Sequence, residues 1–208
     1  MCPMDTRARD RLLYFQWLSS GRRIARLIVV SNYCMNASLS LGLVCVCVSG
    51  LSGATLQQLS LDDMTQKSTM IVQGMVQGPV TTALHSRVIF SHYQIQVSAV
   101  WKGQVGSTVD LAVPGGIFNG VQQSYSGAPA LQLGKAYVFF LWTSRNGVTQ
   151  VIGLSQGLFG ISSSQVSRPA TTEMLLDRHG QPVTDTDLVM QLSDLRSRVQ
   201  TVLKGVAQ

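Results

Sequence analysis

The sequence feature that most constrains the fold is an alternation of apolar and polar side chains over residues 87–101, RVIFSHYQIQVSAVW. From Ile89 to Trp101 the odd positions are mainly apolar, whereas the even positions include His92 and Gln94. A period of two is typical of a β-strand with one buried face and one solvated face. The segments STVDLAV and KAYVFFLW predict further strands, and turn-forming dipeptides separate them. This pattern predicts a small antiparallel barrel or sandwich.

Two helices are predicted to flank the strands. Residues 59–68 form the first, with Ser60 as N-cap and Asp62 and Asp63 in its first turn. The second is an amphipathic helix over residues 184–208. Its apolar stripe, at steps of three and four residues, comprises Leu188, Leu192, Leu195, Val199 and Val202. We expect this stripe to pack on the barrel; the alternative is a seam between two copies of the chain.

Residues 1–54 read as a leader. They contain six of the sixteen Lys and Arg residues and all four cysteines, and no charge occurs between Arg26 and Asp62. The apolar run LSLGLVCVCVSGL ends in the small residues SGA. A basic segment followed by an apolar run and then by small residues is the pattern of a secretory signal peptide. It predicts cleavage after Ala54. The protein would then be secreted or periplasmic.

One alternative concerns cleavage of the leader and another concerns the start of the chain. The stretch from residue 27 to residue 54 is long enough to span a bilayer, so an uncut leader would anchor an exported C-terminal domain in the membrane. Met35, rather than Met1, is an alternative start. After the leader we expect a barrel over residues 55–165, a linker over residues 166–183 and the C-terminal helix.

Charge and cysteine content exclude several functions for the exported part. The net charge is +6, but the leader carries most of it, so a nucleic-acid partner is not expected. Without cysteine after residue 47, the folded part has no disulfide and no thiolate metal site. The three histidines, His85, His92 and His179, lack metal-ligand spacing, so no metal or cofactor is expected.

The pentapeptide GLSQG, residues 153–157, fits the G-x-S-x-G pattern of serine hydrolases. Ser155 would be the nucleophile and His179 its base. Such an elbow requires a helix after the serine, whereas LFGIS, which follows, alternates as a strand does. We therefore expect a tight turn, and a small serine hydrolase is the alternative.

The remaining polar residues give weaker signals. Residues 115–129, GGIFNGVQQSYSGAP, form the candidate recognition loop because Phe118, Asn119 and Tyr125 combine aromatic and amide groups there. Asp185, Asp187 and Asp194 are interpreted as helix caps or solvated side chains. Trp101 belongs to the aromatics that could form a binding platform, but a core position is expected for it.

The strand order and turns resemble a known family. The segments STMIVQGMV, VSAVWKG, VDLAVPGG, GAPALQLGKAYVFFL and VIGLSQGLFGI are similar to small exported bacterial domains of unassigned function. More distantly they resemble the netrin-like module of the tissue inhibitors of metalloproteinases, an OB-type barrel flanked by helices. Trp101-Lys102-Gly103 would match the aromatic-Lys-Gly turn of that module. The inhibitory N-terminal cysteine of those inhibitors has no counterpart after residue 54.

These observations predict an exported, non-catalytic binding or envelope-associated domain with an OB-like barrel. Its partner would be an extracytoplasmic protein or glycan. The alternatives are the hydrolase described above and a structural protein that self-associates through residues 188–202.

Overall fold

The computed structural model describes residues 55–206, so the leader predictions lie outside the described part. Neither helix of that part combines the length and hydropathy needed to cross a membrane. The helices are α1 (Leu61–Lys67) and α2 (Leu192–Val206). The long strands are β2 (Met70–His85), β3 (Val88–Lys102), β4 (Thr108–Pro114) and β7 (Ala136–Thr143). The shorter strands are β1 (Thr55–Gln57), β5 (Gly116–Phe118), β6 (Val121–Gln123), β8 (Thr149–Val151), β9 (Leu158–Ser162), β10 (Gln165–Arg168), β11 (Met174–Leu176), β12 (Pro182–Val183) and β13 (Leu188–Gln191).

The main sheet is antiparallel and has the strand order β13-β10-β9-β7-β2-β3-β4. Strand β8 also pairs with β7, next to β9. Two small sheets, β1-β11-β12 and β5-β6, complete the strands. The mainly β, antiparallel fold with two helices is therefore confirmed. No hydrogen-bonded pair closes the main sheet into a barrel within residues 55–206.

The main sheet buries apolar side chains on both faces. The first face carries the inner cluster of Val72, Val76, Ile95, Val109, Leu111, Val113, Tyr137, Phe139, Leu141, Val151 and Leu158. The second carries the helix-side cluster of Met64, Ile71, Val138, Phe140, Ile152, Phe159, Val166, Leu195 and Val199. Strand β7 contributes to both clusters, as expected for a central strand that is apolar on both faces.

Strand β3 departs from the predicted alternation. Tyr93, Ile95 and Val97 lie at the inner cluster, but Trp101 packs on the helix-side cluster. The expectation that all odd positions share one face is thus wrong at Trp101. The cause is a pair of β-bulges against β2, which leave Ser98 and Trp101 as extra residues. A bulge adds one residue to a strand without moving the pairs on either side of it. Beyond the bulge at Ser98, the odd-numbered side chains therefore point to the opposite face.

Helix α1 begins as predicted. Ser60 is the N-cap, and its hydroxyl and the Asp63 carboxylate form a reciprocal capping box with the two backbone N–H groups. The far end of α1 is capped from the sheet, because Lys102 Nζ donates to the carbonyls of Thr65 and Gln66 over 2.7 and 2.9 Å. Burial lowers the pKa of this lysine. Gly103 then turns the chain at a φ of +82°.

Helix α2 begins at Leu192, eight residues later than predicted. Residues 188–191 instead form β13, which pairs with β10. Leu188 and Leu192 fit a helical stripe by spacing, but the free edge of β10 offers hydrogen bonds that hold Leu188 in a strand. In the helix, Leu195 and Val199 are fully buried against the sheet. This agrees with the packing expected for the stripe.

The predicted linker contains ordered strands. Strand β10 extends the main sheet as far as Arg168, and β11 and β12 form a hairpin. Strand β11 also pairs in parallel with β1, so this segment holds the start of the described part.

Candidate functional site

A groove of about 440 Å³ lies between the strands β2 and β3 and the first turns of α2. Four parts of the chain meet there: β2 at Gln73, the bulged end of β3, the loop between β9 and β10, and the end of β13 with one side of α2. Six of the nine lining residues have amide or hydroxyl side chains: Gln73, Gln191 and Gln200, and Ser164, Ser193 and Ser197. Trp101, Leu192 and Arg196 complete it.

The groove side of α2 follows from helical spacing. Ser193, Arg196, Ser197 and Gln200 recur at steps of three and four residues, beside the buried stripe. Leu192 fixes the start of the helix, since its N–H donates to the Ser164 carbonyl over 2.8 Å. The groove therefore lies between fixed elements of secondary structure.

Trp101 brings an indole ring to the groove. Its Nε1 is buried and has no hydrogen-bond acceptor among residues 55–206. A buried donor left without an acceptor costs about 1–3 kcal/mol, and most proteins avoid one. The β-bulge turns this indole away from the inner cluster and towards α2. Bulges often re-aim a side chain at a functional site.

Arg196 is the charged residue of the lining. It is exposed, and no carboxylate of the described part lies within 4 Å of its guanidinium. A groove of this composition can donate and accept many hydrogen bonds and can hold one negative charge.

The pentapeptide GLSQG forms a 3₁₀ turn, Leu154–Gly157, and a strand follows it directly. The turn interrupts what would otherwise be one strand, since β8 before it and β9 after it both pair with β7. Gly153 and Leu154 take φ values of +62° and +58°. The structure thus places a strand where a nucleophile elbow needs a helix.

Gln156, rather than Ser155, makes the specific contacts of the turn. Its side-chain amide is buried and binds the backbone of residues 57–59. Ser155 is half-buried, and no histidine of the described part lies within hydrogen-bond distance of its hydroxyl. His179 is exposed and sits in a turn where its N–H donates to Asp177. The structure does not bring the two hydrolase candidates into a hydrogen-bonded pair.

The candidate recognition loop is mostly a hairpin of β5 and β6. Asn119 and Gly120 form its two-residue turn, with φ values of +49° and +77°. Phe118 and Tyr125 are half-buried and Asn119 is exposed. The Tyr125 hydroxyl donates to Gln123 Oε1 over 3.4 Å, and burial raises the pKa of this tyrosine. These three side chains are not part of the groove at Trp101.

The histidines stay apart. His85 ends β2, and His92 lies on β3, where its Nδ1 is 2.9 Å from Asp110 Oδ2 across to β4. Within residues 55–206, no three His, Cys, Asp or Glu side chains form a group that could hold a metal ion.

The interpretation of Asp185 as a cap or solvated carboxylate is wrong. It forms a buried bidentate ion pair with Arg168, at 2.7 and 2.8 Å, and the two side chains are only 6% and 8% exposed. Burial alone would raise the pKa of Asp185, but hydrogen bonds from Arg168 and the Thr171 N–H outweigh burial and lower the pKa. Asp187, by contrast, accepts from the Ala170 N–H at the surface.

Sequence reasoning missed the groove because its lining comes from four distant segments. Only the alternation around Trp101 gave a signal, and that signal pointed to the wrong face. No protein-family model matches the chain, and no curated protein or solved structure matches it either.

Proposed function

We propose that the protein is an exported, non-catalytic binding domain whose ligand is a glycan held in the groove at Trp101. The observation that carries this proposal is the lining of the groove: an indole ring among amide and hydroxyl side chains. Sugars present an apolar face and many hydroxyls, which such a lining complements.

The composition of the groove favours a glycan over other ligands. Small-molecule pockets of about 300–1,000 Å³ are usually lined mostly by aliphatic and aromatic side chains, whereas Leu192 and Trp101 are the two such residues of this lining. A protein partner would find few of the apolar and aromatic anchors that dominate protein interfaces. Of the two ligand classes expected from the sequence, protein and glycan, the lining of the groove therefore favours the glycan.

The hydrolase remains the second candidate because of its sequence pattern alone. The geometry around Ser155 supplies no hydrogen-bonded base, and the turn already has a structural explanation in Gln156. Export itself rests on the leader, outside the described residues.

We also propose that the domain is OB-like. Five strands follow one another around the inner cluster in the order β2, β3, β4, β8 and β7. Four of the five neighbouring pairs in this ring are hydrogen-bonded. The fifth pair, β4 and β8, lie side by side. A five-stranded, partly open barrel is the arrangement of OB-folds, many of which bind oligosaccharides.

The proposal is tested by calorimetric titration of the full chain with neutral and acidic tetrasaccharides. Trp101→Phe and Trp142→Phe form a matched pair, because both exchange an indole for a phenyl ring on the helix-side cluster and only Trp101 lines the groove. We expect Trp101→Phe to weaken binding about tenfold, because a phenyl ring offers less contact area to a sugar than an indole does, and Trp142→Phe to leave binding unchanged. Equal losses in both variants, or no binding by the unsubstituted protein, would contradict the proposal.

A further inference from the structure

We propose that the ligand in this groove is an acidic saccharide, whose carboxylate or sulfate group pairs with Arg196. This inference rests on the proposed function and adds the chemical class of the sugar.

The charge balance of the groove is the first argument. Arg196 is the charged residue of the lining, and no Asp or Glu lines the groove with it. A neutral sugar would leave this exposed guanidinium to water, whereas an anion supplies it with a counterion. Arginine binds carboxylate and sulfate oxygens in a bidentate manner, so it selects for charge and for geometry.

The availability of Arg196 is the second argument. Of the arginines in the described part, Arg168 is held by Asp185 and Arg178 by Asp63, whereas Arg87, Arg145 and Arg198 have no carboxylate within 4 Å and do not line the groove. Arg196 has no such counterion within 4 Å. Asp194, two residues earlier on α2, lies outside the groove lining and its Oδ1 is 3.4 Å from Ser193 Oγ.

The donors around Arg196 are the third argument. Ser197 and Gln200 lie on the same side of α2 as Arg196, so their side chains can share the oxygens of a bound acid group. The first turn of α2 adds the partial positive charge of a helix N-terminus. Trp101 sits across the groove, where its ring can receive the sugar that carries the acid group.

The test uses the full chain and three probes of equal length. One is a tetrasaccharide that alternates glucuronate and N-acetylglucosamine, the second is a sulfated tetrasaccharide, and the third is a neutral tetrasaccharide of N-acetylglucosamine. We expect at least one acidic probe to bind about tenfold more tightly than the neutral one, with an affinity that falls as salt is added. Comparison of the two acidic probes identifies the carboxylate or the sulfate as the group selected.

The matched variants are Arg196→Gln and Arg198→Gln. Both remove one exposed positive charge from α2, but Arg198 does not line the groove. Arg196→Gln should abolish the preference for the acidic probe while it retains binding of the neutral one. Arg198→Gln should keep the preference, and Arg196→Lys should restore only part of it.

Two results would overturn the inference and leave the proposed function intact. One is equal affinity for neutral and acidic probes; the other is an acidic preference that survives in Arg196→Gln or disappears equally in Arg198→Gln. Failure of all three probes to bind would contradict the proposed function and this inference together.

Discussion

The side-chain amide of Gln156 holds the backbone of Leu59, whose N–H donates to Gln156 Oε1 over 2.9 Å. Gln156 Nε2 donates in return to the Gln57 carbonyl over 3.0 Å. One buried side chain therefore joins the turn between β8 and β9 to the segment between β1 and α1. Its partners lie nearly a hundred residues away, so the contact depends on the complete fold.

We predict that Gln156→Leu destabilises the protein by about 2–3 kcal/mol, because two partly buried backbone groups lose their partners. Urea unfolding of the full chain followed by circular dichroism measures this loss. Faster hydrogen exchange at the Leu59 amide should accompany it. Ser155→Ala is the control in the same turn and should change stability by less than about 0.5 kcal/mol. Equal losses of stability in the two variants would contradict the assignment of this stabilisation to the Gln156 side chain.

We predict that a fluorophosphonate probe does not label Ser155. The structure gives its hydroxyl no hydrogen-bonded histidine in the described part, so nothing there activates it. The measurement is mass spectrometry of the probe-treated full chain beside Ser155→Ala. Labelling that disappears in the variant would establish the hydrolase alternative and refute the proposed binding function.

We predict that Gly103→Ala is far more costly than Gly147→Ala. Both glycines have a φ near +80°, but a Cβ on Gly103 would lie 2.8 Å from the Thr69 carbonyl oxygen. A Cβ on Gly147 would meet no atom within 4 Å. Backbone strain alone costs about 1–2 kcal/mol, and the overlap should bring the Gly103 substitution to about 3 kcal/mol. Thermal unfolding of the two variants in parallel checks the difference; similar losses would contradict the close approach.

We predict an acid-dependent loss of stability that involves Asp185. The pKa of this carboxyl is lowered on folding, so its contribution to the unfolding free energy is complete above its unfolded pKa of about 3.9. It is lost as the pH falls through the lower, folded pKa. Asp185→Asn should therefore flatten the decline of the unfolding free energy below about pH 4. A decline as steep as that of the unsubstituted protein would contradict the prediction.

At neutral pH, Asp185→Asn should cost about 3 kcal/mol, because it leaves the buried Arg168 without a counterion. Arg178→Gln provides the comparison: it breaks the ion pair with Asp63 from the exposed side, and it should change stability little. Chemical unfolding at pH 7 measures both variants.

The local elements were predictable where one physical signal dominated. The capping box of Ser60 and Asp63 and the doubly buried strand β7 follow from side-chain types at fixed spacing. The start of α2 was not predictable in this way, because Leu188 fits both a helical stripe and an edge strand, and pairing with β10 decides between them.

Prediction of the groove would have required knowledge of contacts between residues still farther apart in the sequence. Its aromatic residue, Trp101, lies on the helix side of the sheet because of bulges that exist only in the pairing of β3 with β2. Arg196 could be placed on α2 from the sequence, but its lack of a carboxylate within 4 Å could be seen only in the folded structure. Ion pairs and strand register are tertiary properties, and local patterns carry little information about them.

The bulge at Ser98 also determines which changes of chain length β3 can accept. Gln73 pairs with Ala99 and Gly74 with Val97, so Ser98 has no partner of its own in the ladder. Deletion of Ser98 would join two regular pairs and leave Trp101 on the side of α2. Deletion of Gln94 would instead move the residues between it and the bulge by one position, and would turn the side chains of Ile95 and Val97 away from the inner cluster. The loss of one residue is therefore tolerable at the bulge, whereas earlier in the strand it would exchange buried and exposed side chains.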